Sequence, residues 1–118
     1  MKPDPTPEIP ADALVARYLI GAGMQILARN WRCRYGEISL IAQDAGTTVF
    51  VYIRTRTRPP FQVPPEAVSF TKQQRLRRLS LLWLAEQEGP WWRVRFDVAA
   101  VILEPGCEPE VQYFRAAF

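Results

Sequence analysis

Histidine is absent from this 118-residue chain, and cysteine occurs only twice, at Cys33 and Cys107. Without an imidazole, Ser-His and Cys-His catalysis and histidine-ligated metals are excluded. Two isolated cysteines make neither a zinc-ligand pattern nor a disulfide framework, and they read as buried or incidental thiols. No apolar run approaches the roughly 18 residues that a membrane-crossing helix needs, so no membrane is expected among the partners. The opening stretch MKPDPTPEIP is rich in proline and lacks an apolar signal core. Residues 1–10 therefore read as a flexible lead-in, residues 11–118 as one domain, and the expected location is the cytoplasm.

The composition that remains, 48% hydrophobic and 23% charged, is that of a globular domain long enough to bury a core. Charge is spread unevenly. Between Arg54 and Arg78 seven basic residues stand against a single acidic one, Glu66, in a chain whose total is only +3. The rest of the chain is therefore net acidic. A basic block in an acidic chain points to a localised anionic partner, nucleic acid first and anionic lipid second; a solvated arginine-rich helix face is the plain alternative.

Apolar residues at Ala11, Leu14, Val15, Tyr18 and Leu19 keep helical spacing, and Gly21 and Gly23 supply the stop. MQILARNWRCR then reads as a strand closed by Tyr35-Gly36, EISLIAQ as a second, and TVFVYIRTR as a third after the turn DAGT. The short connection makes the second and third antiparallel. An extended proline-rich loop leads to the helix FTKQQRLRRLSLLWLAEQE, capped by Ser69 or Thr71 and ended by Gly89-Pro90. Leu76, Leu79, Leu82 and Trp83 form its apolar stripe. RVRFDVAAVIL is an interior strand, and VQYFRA a last short one. The order α-β-β-β-α-β-β describes an α/β domain, a mixed sheet flanked by helices. Val49, Val51, Ile53, Leu79, Leu82, Val98 and Val101 are the expected core.

The stretch FVYIRTRTRPP begins as a strand and ends as a row of arginines. Side chains alternate along a strand, so Tyr52, Arg54, Arg56 and Arg58 are expected on one face. With Lys72, Arg75 and Arg78 of the second helix, these arginines make an expected surface for a phosphate backbone, most naturally that of DNA.

ARYL, ILARNWRCRYGEISLIAQDAGTTVFVYIRTRTR, PPEAVSFTKQQRL and RFDVAAVIL together resemble the YraN family, over nearly all of residues 11–118. These are small bacterial proteins predicted to be endonucleases, with a restriction-endonuclease-like fold related to archaeal Holliday-junction resolvases. The resemblance implies carboxylates at two adjacent strands that hold Mg²⁺ or Mn²⁺, a lysine beside the attacking water, and a glutamate on the first helix. Carried over position by position, the family's metal-binding aspartate falls on Ser39, its strand glutamate on Tyr52, its lysine on Arg54 and its helix glutamate on Asp12. Serine is a poor, neutral Mg²⁺ ligand, a phenol is not ionised near neutrality, and a guanidinium cannot accept a proton there.

The resemblance therefore implies a nuclease-like site that has kept its affinity for phosphate and lost its metal donors. No cofactor is expected on that reading. An active Mg²⁺-dependent endonuclease using Asp12 and Glu37, the only candidate metal ligands, is the alternative; a protein-interaction module is a second. Strand alternation places Glu37 on the face of Ser39, and Arg54 is a candidate ion-pair partner for Asp12 or Glu37. Glu66 and Asp97 match family positions outside the metal core and read as capping or salt-bridging residues.

Overall fold

The computed structural model describes residues 9–57, 64–89 and 93–118. Within them lie two helices, α1 (Ala11–Gly21) and α2 (Phe70–Ala85), and five strands in the expected order. The strands are β1 (Gln25–Cys33), β2 (Gly36–Asp44), β3 (Thr47–Thr57), β4 (Val94–Leu103) and β5 (Glu110–Phe114). They form one sheet in chain order, antiparallel at every pairing except β3 with β4. That parallel pair is joined through α2, as a parallel connection requires.

Each element is closed by local chemistry. Helix α1 ends in a Schellman motif, in which the amide of Met24 donates to the carbonyl of Leu19 and that of Gly23, at φ 89°, to Ile20. The β2–β3 connection is a two-residue turn with positive φ at both Ala45 and Gly46, the type I′ geometry whose twist suits a hairpin. Ser69 caps α2, its Oγ accepting from the amide of Lys72 at 3.3 Å. The helix stops at Ala85, short of the expected Glu88. Beyond Ala85 come Glu86, Gln87 and Glu88 with no apolar side chain to bury, and the amides of Glu86 and Gln87 close the last turn on Trp83 and Leu84.

The helices cover opposite faces of the sheet. Under α1, Val15, Ala16 and Leu19 meet Leu40, Ala42, Val49, Val51, Ala99 and Val101. Under α2, Leu76, Leu79, Trp83 and Leu84 meet Ile38, Ile41, Phe50 and Phe96. Two of the expected core residues, Ile53 and Leu82, are only half-buried. Ile53 lies where β3 no longer has β2 beside it, and Leu82 sits on the flank of the helix stripe.

Candidate nucleic-acid interface

The ladder between β2 and β3 stops at Leu40–Val51, although both strands continue. Beyond that pair β2 stays bonded to β1 as far as Gly36, and β3 to β4 as far as Thr57. Ser39 and Tyr52 are the first residues past the last rung, where the two strands part. The alternation of β2 slips at this point. Ile38 packs under α2 and Leu40 under α1, while Asn30, opposite Ser39 in the register, takes φ 51°. The regular alternation that would put Glu37 and Ser39 on one face therefore does not run through Ser39.

Tyr52 lies on the α2 side and is the centre of a cationic group. The Arg54 guanidinium stands 5.3 Å from its ring centroid and the Lys72 ammonium 5.9 Å. A ring face offers each cation a modest attraction but no counter-charge. Nε and Nη1 of Arg54 are closed off from solvent, with no hydrogen-bond acceptor among the described residues. Arg56 follows on the same side by alternation; Arg58 lies outside the described residues.

Arg54 pairs with neither expected carboxylate. Asp12 belongs to α1, on the other face of the sheet, where it accepts from Arg29 at 3.4 Å and from Asn30 at 3.3 Å. Glu37 is held by Arg32 across the β1–β2 ladder at 3.0 Å. Among the described residues no group of three or more His, Cys, Asp or Glu is placed to hold a metal ion. A neutral serine and a phenol flanked by two cations complete a donor set that does not fit Mg²⁺.

The other basic residues of α2 gather at a second place. The β1–β2 hairpin turns at Arg34-Tyr35-Gly36 and is pressed onto the helix. Gly36 has φ 149°, and a Cβ added there would stand 3.2 Å from Leu79 Cδ1. Only glycine fits that backbone and that approach. A pocket of about 500 Å³ opens beside the turn, lined by Tyr35, Thr71, Gln74, Arg75, Arg77, Arg78, Leu79 and Leu81. The expected basic set is thus divided between Arg54 and Lys72 at Tyr52, and Arg75 and Arg78 at Tyr35. Arg77, outside that set, also lies 4.7 Å over the ring of Phe96 and 5.5 Å over that of Phe118.

The strongest polar network lies on the α1 face. Asp97, fully buried, accepts from Nε and Nη2 of Arg95 at 2.9 and 3.0 Å, from the Tyr113 hydroxyl at 2.5 Å and from the Ala116 amide at 2.8 Å. Arg95 also binds Asp44 at 3.0 Å, and Arg115 reaches the same carboxylate at 3.6 Å. Hydrogen bonds to Asp97 raise the Arg95 guanidinium above its already high range. Burial first, and then the bond to Asp97, push the Tyr113 phenol well above its usual range. Both oxygens of Asp97 are used internally, so the network ties β4 to β5 and the C-terminal turn. Arg95 and Asp97 are two apart in an otherwise apolar strand, a same-face ion-pair signal that the sequence carries; the partners Tyr113 and Asp44 have no such mark.

Comparison with known proteins bears on the whole arrangement. The family model of the uncharacterised protein family UPF0102 matches residues 11–101. The chain belongs to UPF0102. Among similar members, the Nocardia farcinica UPF0102 protein is 58% identical over 91% of this chain and 84% of its own length. The Rhodococcus opacus protein is 49% identical over 89% of each chain. That of Mycobacterium tuberculosis strain H37Ra is 47% identical over 88% of this chain and 85% of its own. The UPF0102 match runs from α1 into β4. It takes in Asp12, Ser39, Tyr52, Arg54, the basic face of α2 and Asp97, and stops before Tyr113 and Ala116.

Proposed function

We propose that this UPF0102 protein binds nucleic acid, DNA first, in the cytoplasm, with little or no metal-dependent cleavage. The observation that carries the reading is the Tyr52 group: two cations over one ring, with Arg54 lacking a counter-ion among the described residues. A partly buried charge without an acceptor is costly, and a phosphate oxygen is a charge-assisted acceptor that offsets that cost. Arg54 supplies a guanidinium charge and Lys72 a mobile point charge, the two kinds of cation with which proteins hold phosphodiesters. Cleavage needs carboxylates that gather metal ions around the scissile phosphate, and Asp12 and Glu37 are each engaged by an arginine elsewhere.

Fluorescence anisotropy of labelled duplex DNA over a salt series tests binding. With about four phosphates neutralised, log affinity falls against log salt with a slope near −3.6. Arg54→Ala with Lys72→Ala reduces that slope by about 2 and weakens all sequences alike. Supercoiled plasmid stays uncut in Mg²⁺ or Mn²⁺. Metal-dependent nicking that vanishes in Asp12→Ala overturns the reading in favour of an active endonuclease. No binding at low salt overturns it in favour of a protein-interaction module.

A further inference from the structure

The second basic group differs from the first in one respect: its aromatic residue faces water. Tyr35 is 59% exposed at the hairpin tip, whereas Tyr52 is half-buried beneath α2. The Arg34 guanidinium lies 5.2 Å from the Tyr35 ring centroid, which holds the ring while leaving most of it open. Arg75, Arg77 and Arg78 line the same pocket with Gln74, and Leu81, 66% exposed, gives it an apolar wall. Here an exposed tyrosine and an exposed leucine border one concavity with three guanidinium groups, those of Arg75, Arg77 and Arg78. The close approach of Gly36 to Leu79 keeps tip and helix at a set separation.

We infer that this pocket takes one unpaired nucleotide, its base stacked on Tyr35 against Leu81 and its phosphate held by Arg75 and Arg78. The inference rests on the nucleic-acid reading and narrows it. A base within a continuous duplex has both faces covered by its neighbours and cannot stack on a side chain. An unpaired base has a free face, and stacking on an aromatic residue is tolerant of base identity. The volume of about 500 Å³ suits a single nucleotide and lies within the range of ligand sites. The preferred substrate is therefore nucleic acid carrying single-stranded nucleotides, such as an overhang, a gap or a branch.

The test compares a labelled oligothymidylate of about 20 nucleotides with a blunt duplex of similar length, using the full chain. Tyr35→Ala weakens the oligothymidylate on the order of tenfold and leaves the duplex within about twofold; Tyr35→Phe leaves both within about twofold. Arg75→Ala with Arg78→Ala lowers the single-strand salt slope by about 1.4. Thermal melts followed by tryptophan fluorescence verify that each variant is folded. If Tyr35→Ala leaves oligothymidylate binding unchanged, or weakens both probes equally, the pocket does not read an unpaired base. Binding of duplex but not of oligothymidylate overturns this inference while the proposed function stands; binding of neither overturns both.

Discussion

Replacing Asp97 with alanine removes the one acceptor on which four hydrogen bonds converge. Arg95 loses two of them and keeps only Asp44; the Tyr113 hydroxyl and the Ala116 amide lose their partner outright. A buried donor left without an acceptor costs about 1–3 kcal/mol. Arg95 is 20% exposed and can recover some water, so its share lies at the low end. The expected loss is about 3–5 kcal/mol, the range found when one partner of a buried pair is deleted. That is a large part of the roughly 5–15 kcal/mol that holds a domain together. Urea unfolding followed by tryptophan fluorescence reads it directly. With a slope near 2 kcal/mol per molar, the midpoint falls by about 2 M while the slope holds. A midpoint within about 0.5 M of the parent refutes the reasoning, because it means water satisfies what the structure shows as sealed. The same carboxylate holds the Ala116 amide, while the Ala117 amide donates to Phe96 at 2.9 Å and Phe118 stacks on Phe96 at 5.4 Å. The variant should therefore also expose its C-terminal residues to proteolysis.

Three further outcomes follow from the geometry. The Tyr113 phenol is raised in the folded chain, so above about pH 10 the unfolded chain gives up a proton that the folded chain keeps. The contribution is therefore whole below that pH and is lost as alkalinity rises; Tyr113→Phe, about 1 kcal/mol less stable at neutrality, shows a flatter alkaline decline. Gly36→Ala forces φ 149° on a side chain and a contact of 3.2 Å on Leu79. It costs on the order of 1–3 kcal/mol in thermal melts, and a variant as stable as the parent contradicts the close approach. Ser39→Asp combined with Tyr52→Glu and Arg54→Lys places two carboxylates where β2 and β3 part. Calorimetry should then record Mn²⁺ binding that the parent lacks, and no heat from the triple variant contradicts the placement of these residues at one site.

Most of what depends on neighbours within a few residues was legible in the sequence, the end of α2 excepted. Spacing of 3.6 and of 2 located both helices and all the strands, because those periods reflect which side chains one element can bury at once. The turn at Ala45-Gly46, a stop at Gly21 and Gly23 and a cap at Ser69 or Thr71 were legible for the same local reason, and the structure uses Ser69. So was the shared face of Tyr52 and Arg54, since both stand on one strand with no slip between them. Where β2 slips at Ser39, alternation lost its meaning, and the expected companionship of Glu37 and Ser39 went with it.

Which charges meet across different elements was settled only by the tertiary structure. Asp12 found Arg29 and Asn30 because α1 packs over the face away from Tyr52, and no spacing in the chain records on which side a helix lands. One run of basic residues was divided into two groups because the helix brings Lys72 beside the Tyr52 ring and Arg75 and Arg78 beside a hairpin tip. Asp44, Asp97 and Tyr113 come from three strands, brought to one point by the register of β4 against β3 and β5. Register is set by the whole sheet at once, so a residue's partners across it are invisible until the sheet has closed.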